Sequence, residues 1–206
     1  MKPPPFILGL TGSIGTGKTT TAGMFAEAGA LVWSADEAVN RLYGPGGGGE
    51  ETVRRICPEA VPKPGFGVNK DKLKLCLEQD TGLLSRLEAA IHPLVARDRN
   101  EFVRAAELDG AELVVAEIPL LYETGGETGV DAVVVVTAPE NTQRHRVLNR
   151  GTMTETEFEG LLRRQMPNGE KMRRADFVIE SRSLDEARFA VGDIVRKIKE
   201  AAWQRK

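Results

Sequence analysis

Gly12-Ser13-Ile14-Gly15-Thr16-Gly17-Lys18-Thr19 has the residue types and spacing of a phosphate-binding loop. Glycines free the backbone to turn its N–H groups onto phosphate oxygens, and a following helix adds the positive end of its dipole. In that pattern Lys18 reaches the β- and γ-phosphates, and the Thr19 hydroxyl binds Mg²⁺. Gly12, Gly15, Thr16, Gly17, Lys18, Thr19 and Thr20 are therefore the candidate nucleotide contacts. The flanks agree. Phe6 to Leu10 is a short apolar run that suits a buried strand, and Thr20 to Ala28 suits a helix with Met24 and Phe25 on its apolar face. Strand, glycine loop and helix in that order point to a nucleoside triphosphate site, against the alternative of a glycine-rich turn with a solvated lysine.

Other residues could share that chemistry. Asp36 follows a predicted strand in Trp33-Ser34-Ala35-Asp36. There a carboxylate can orient an acceptor hydroxyl and take its proton during attack on the γ-phosphate. It can equally cap the helix that begins near Glu37, and position alone allows both roles. Glu117 ends another apolar run, Leu113-Val114-Val115-Ala116, and is a candidate Mg²⁺ ligand, direct or through water. Pro119, Leu120 and Leu121 after it suit packing, and Glu123 suits a solvated or capping position. His92, before Pro93, could bond a substrate or only its own domain. Neither a Ser-His-Asp set nor a two-histidine metal spacing is available, because His92 and His145 are the chain's 2 histidines.

These groups need a scaffold. Phe6 to Leu10, Ala30 to Trp33, Glu112 to Ala116, Ala132 to Val136 and Phe177 to Ile179 are continuous apolar runs. Such runs suit strands buried on both faces of a parallel sheet, and the helical patterns between them predict a doubly wound α/β fold. The core is expected in 1-39, 112-140 and 175-206. Residues 40-111 exceed what one crossover helix needs and predict an inserted, largely helical substrate domain, its helical part interrupted at His92-Pro93. Its glycine tract, Gly44 to Gly49, reads as a flexible loop.

Residues 141-174 form a second insertion carrying Arg144, Arg146, Arg150, Arg163, Arg164, Lys171, Arg173 and Arg174. A local basic excess fits a lid over nucleotide phosphates; a solvated basic face is the alternative for most of the arginines. Arg150 and then Arg146 are the candidates for phosphate contact, sharing one face if that segment is helical.

A net charge of −2 gives no global reason to expect nucleic acid or an anionic membrane as partner. No apolar run approaches a membrane span, and Met1-Lys2-Pro3-Pro4-Pro5 runs straight into the first strand, which favours a cytoplasmic location. Cys57 and Cys76 stand apart from any Cys-x-x-Cys or histidine cluster and read as reduced, partly buried thiols, with a disulfide or a metal role as the lesser alternative.

Taken together, these segments resemble the dephospho-CoA kinase family. The resemblance rests on Leu8 to Thr20, Ser34-Ala-Asp-Glu-Ala38, His92-Pro-Leu-Val95 and Ile118-Pro-Leu-Leu-Tyr-Glu123, then Arg146-x3-Arg150, Gln165 and Ala175-Asp-Phe-Val-Ile179. It implies a P-loop kinase of adenylate-kinase-like architecture, with a five-stranded parallel core, a CoA-side insertion and a lid. It implies ATP with Mg²⁺, transfer of the γ-phosphate to the 3′-hydroxyl of dephospho-CoA, and a monomer or small homo-oligomer. By position, Asp36 matches the family's proposed base, Lys18 its loop lysine, and Arg150 a lid arginine that contacts phosphate. His92 becomes a candidate substrate contact.

Three positions depart from the family's pattern. Ser34 stands where an aspartate is usual, Glu180-Ser181-Arg182 replaces the usual residues near the nucleotide base, and Leu75-Cys76-Leu77 lies where an aromatic is common. Two other classes compete. One is a P-loop kinase acting on a nucleoside, nucleotide or shikimate-like alcohol. The other is an NTP-binding switch or nucleic-acid-dependent ATPase, against which Asn69-Lys70-Asp71-Lys72 lacks the aspartate of a guanine motif.

Overall fold

The computed structural model describes residues 3–151 and 153–204; Met1 and Lys2 of the N-terminal segment lie outside the described residues. The strands are β1 (Phe6–Thr11), β2 (Leu31–Ser34), β3 (Leu113–Glu117), β4 (Ala132–Thr137) and β5 (Phe177–Glu180). They form one five-stranded parallel sheet in the order β2-β3-β1-β4-β5. The helices are α1 (Lys18–Glu27), α2 (Ala35–Tyr43), α3 (Glu50–Ile56), α4 (Lys70–Gln79), α5 (Leu83–Leu108), α6 (Glu140–Leu148), α7 (Glu155–Arg164), α8 (Asn168–Arg174) and α9 (Leu184–Gln204). Each apolar run read from the sequence is one of the five strands, displaced by a residue or two at its ends.

The chain divides into two compact units, Met1–Trp33 with Ala105–Lys206, and Ser34–Arg104. Ser34 and Asp36, which the sequence reading put in the core, therefore belong to the second unit.

In the first unit the sheet is buried on both faces, and β4 shows how its sequence achieves this. Val134 and Val136 pack with Met24 and Phe25 of α1 and with Val191, Ile194, Val195 and Ile198 of α9. The alternate residues Val133 and Val135 pack on the other side with Leu121 and Tyr122. A two-residue period in the strand thus feeds two cores, while the α9 residues recur at the spacing of a helical stripe. Leu10 pairs with Glu117 across β1 and β3, so the chemistry-bearing end of β3 lies beside the entry to the glycine loop. Among the described residues no helix is long and apolar enough to cross a membrane.

The second unit has its own core of Val53, Cys57, Ala60, Val61, Leu73, Leu83, Leu87 and Ile91, with Val39 and Tyr43 of α2 against it. Three expectations are corrected here. First, α5 runs without interruption through Pro93. Tertiary packing of the Leu83-Leu87-Ile91 stripe outweighs the missing proline N–H. Second, the glycine tract is ordered. Glu50, buried at the start of α3, accepts bonds from the N–H groups of Gly46, Gly65 and Gly67, and Gly49 N donates to Leu42 O at 3.0 Å. One carboxylate replaces the water that a flexible loop would use.

Third, Cys57 and Cys76 are bonded to each other, with Cα atoms 6.9 Å apart. They are 19 residues apart in sequence, a spacing that carries no pairing signal. The fold supplies what the spacing lacks, by laying the end of α3 against α4.

Candidate active site

The loop after β1 is built around close backbone approaches. A Cβ on Gly12 would overlap the Val136 carbonyl oxygen. Gly15 has φ +79°, and a Cβ there would come within 2.7 Å of Gln143 O. Both positions accept only glycine without displacement. Inside the loop, the Ser13 carbonyl accepts bonds from the Thr16 hydroxyl at 2.8 Å and from Lys18 Nζ at 3.2 Å. Lys18 is thus folded over the loop. Gly17 caps α1 in the left-handed conformation, without a side-chain cap, so the first N–H groups of α1 retain their capacity for an anion.

Thr19 Oγ1 donates to Glu117 Oε1 at 3.0 Å. The two residues proposed from sequence as metal ligands are therefore in contact, one at the first turn of α1 and the other at the end of β3. Glu117 is buried. A hydroxyl and a carboxylate together are hard oxygen donors of the kind that suits Mg²⁺. Thr20 is exposed on α1.

Arg146 reaches from α6 to the same loop. Its guanidinium donates to Thr16 O at 3.4 Å, Ser181 Oγ at 2.8 Å and Ser181 O at 3.0 Å, while Ser181 Oγ itself donates to Thr16 O at 2.6 Å. Ser181, a departure from the family's usual residue, is buried and fastens β5 to the loop. α6 ends at Leu148, so it carries Arg146 but not Arg150, which lies beyond it and is exposed.

Glu123, expected to be solvated or capping, is instead held in an ion pair. Its partner Lys171 is fully buried, lies 2.7 Å away and donates to Pro119 O at 3.3 Å. Glu123 also accepts from Met166 N at 2.8 Å. Nearby, Arg174 stacks 4.7 Å from the Tyr122 ring centroid and pairs with Glu127 at 3.0 Å. Burial, aided by the Asp176 charge, raises the Tyr122 phenol above its ordinary pKa, with Arg174 opposing. Gln165, at the end of α7, accepts from Ile14 N at 3.2 Å. The acidic partners of Lys171 and Arg174, Glu123 and Glu127, lie on a different segment of the chain, whereas Arg144 and Arg163 pair within the insertion with Glu155 and Glu159.

Asp36 and His92 belong to the second unit, and both are exposed. The helix-cap alternative for Asp36 is not realised. α2 starts at Ala35 with Ser34 at the cap, leaving Asp36 in the first turn.

The dephospho-CoA kinase family model (CoaE) matches residues 6–186. The chain belongs to the dephospho-CoA kinase family. It is similar to the dephospho-CoA kinase of Cereibacter sphaeroides, with 50% identity over 198 residues covering 96% of this chain and 98% of the relative. It is 47% identical to the dephospho-CoA kinase of Brucella abortus over 92% of this chain and 93% of that one. Among solved structures, TT1252 from Thermus thermophilus superposes with a TM-score of 0.81 and 33% identity, covering 95% of this chain and 98% of the other. The dephospho-CoA kinase from Campylobacter jejuni shares the fold, with a TM-score of 0.65, 19% identity and the same coverage. This dephospho-CoA kinase family member is thus an ATP-dependent kinase.

Proposed function

We propose that the kinase transfers the γ-phosphate of ATP to the 3′-hydroxyl of dephospho-CoA, giving coenzyme A and ADP, and that Asp36 serves as the base. The observation that carries the reading is the Thr19–Glu117 contact beside a loop whose lysine is folded onto it. The loop amides and the α1 N-terminus hold the phosphates, and Lys18, steadied by the Ser13 carbonyl, presents its remaining ammonium protons to the β- and γ-oxygens. Thr19 and Glu117 would hold Mg²⁺, which when bound supplies positive charge against the phosphate oxygens.

Asp36 orients the 3′-hydroxyl and accepts its proton as the oxygen–phosphorus bond forms and the bond to ADP breaks. Lys18 and Arg150 neutralise charge on the transferring group. Arg146 keeps the loop in shape from behind. His92 is assigned a contact with the acceptor, Ser34–Arg104 the acceptor-binding role, and 141-174 the lid. A cytoplasmic monomer or small homo-oligomer that needs neither nucleic acid nor membrane completes the reading.

The test is ADP release from Mg·ATP with dephospho-CoA, adenosine, AMP and shikimate supplied separately. Turnover confined to dephospho-CoA is the expected result. Equal turnover with another alcohol would reassign the acceptor.

A further inference from the structure

The peptide group between Ser13 and Ile14 is gripped at both ends. Its carbonyl accepts bonds from Lys18 Nζ at 3.2 Å and Thr16 Oγ1 at 2.8 Å, while its N–H donates to Gln165 Oε1 at 3.2 Å. The C=O and N–H of a trans peptide point in opposite directions, so fixing the N–H fixes where the carbonyl presents itself to Lys18. Gln165 lies 151 residues from Ile14 in the chain, at the C-cap of α7.

Gln165 is itself held. Its neighbour Met166 donates its N–H to Glu123 at 2.8 Å, and Glu123 pairs with the fully buried Lys171 at 2.7 Å. Lys171 also donates to Pro119 O, the carbonyl that accepts the Thr11 hydroxyl at 3.1 Å. Thr11 immediately precedes Gly12. The contacts therefore close a ring that leaves the loop at Thr11, passes through Pro119, Lys171, Glu123 and Met166, and returns to it through Gln165.

We propose that Gln165 is a positioning residue for the phosphate loop, holding the Ser13–Ile14 peptide in the orientation that keeps Lys18 aligned, with the buried Lys171–Glu123 pair as its anchor. This rests on the loop and Lys18 acting as described above. The side chain's task is to accept a hydrogen bond, and that separates it from a packing role. Glutamate can accept the same N–H; methionine matches the length and volume of glutamine but accepts only weakly.

The experiment compares Gln165→Met and Gln165→Glu by steady-state kinetics and by calorimetric binding of ATP, which needs no acceptor. Misplacing a catalytic group by a fraction of an ångström to an ångström costs about 10- to 100-fold in rate. Gln165→Met is expected to lower kcat by that order while KM for dephospho-CoA stays within about twofold, and Gln165→Glu to recover most of the loss. A double variant with Lys18→Ala should lose little beyond Lys18→Ala alone, because the two act through one group.

The anchor is tested with Lys171→Met combined with Glu123→Leu, which removes both buried charges together and avoids stranding one. Its kcat should fall with that of Gln165→Met. Full activity in Gln165→Met, or equal damage in Gln165→Glu, would overturn the proposal. If Lys18→Ala leaves ATP binding and turnover unchanged, the underlying reading of the loop fails instead.

Discussion

Thr19 and Glu117, 98 residues apart in the chain, meet through a hydrogen bond of 3.0 Å. The contact exists because β1 and β3 are parallel neighbours in which Leu10 faces Glu117, so the loop and helix that follow β1 fold back over the end of β3. A hydroxyl and a buried carboxylate brought together in this way offer two oxygen donors before any cation arrives. Glu117→Gln should therefore raise the Mg²⁺ concentration needed for half-maximal activity by about 10- to 100-fold. Titrating activity against Mg²⁺ at saturating ATP checks this.

Lys18→Ala and Asp36→Asn separate the charge-stabilising role from the proton-accepting one. Lys18→Ala should lose about 10²- to 10³-fold in kcat and weaken ATP binding. Asp36→Asn should lose about 10²- to 10⁴-fold in kcat with ATP binding unchanged. Near-normal turnover in Asp36→Asn would remove it as the base. Thermal melts of both variants should match the parent, because neither side chain is part of a core cluster.

The Cys57–Cys76 bond spans a separation of 19 residues in the second unit. Closing a loop of that length removes about 3 kcal/mol of chain entropy from the unfolded state. Urea denaturation with and without a thiol reductant should show a loss of that order on reduction. Alkylation under non-reducing conditions should leave both cysteines unlabelled. Prompt labelling of both would contradict the bond.

Asp80 stands before α5, accepting bonds from Gly82 N and from Arg86, its ion-pair partner at 2.7 Å. The Arg86 bond, then the Gly82 N–H, hold its carboxyl below the ordinary aspartate value. A depressed pKa in the folded state means stability that is present above the unfolded-state value and is lost as pH falls through the folded one. The contribution of Asp80 should therefore be intact above about pH 4 and fade in stronger acid. The test is the difference in melting temperature between the parent and Asp80→Asn, which should shrink as pH falls below that value.

What the sequence made legible follows from which signals are local. The glycine loop is contiguous, so its chemistry can be read in one glance, and the five apolar runs announce a sheet buried on both faces. Glu117 was within reach because it closes one of those runs. Lys171 was not. A lysine among arginines carries no local sign of burial until the fold shows Glu123 beside it.

Glu50 was missed for the same reason: three glycine N–H groups converge on it from two loops that only the folded chain brings together. Ser181 read only as a departure from a family pattern. Its buried hydroxyl, shared between Thr16 and Arg146, is a long-range arrangement. Pro93 misled in the opposite direction, since a local helix-breaking signal lost to the packing of a long apolar stripe.

The central claim is where the phosphate goes. The most direct measurement supplies Mg·ATP with dephospho-CoA or with its 3′-deoxy analogue and locates any new phosphate by mass spectrometry and phosphorus NMR. The account predicts one new phosphate on the 3′-oxygen of dephospho-CoA and no product from the analogue. Phosphorylation of the 3′-deoxy compound, or ATP binding without any product from dephospho-CoA, would contradict it.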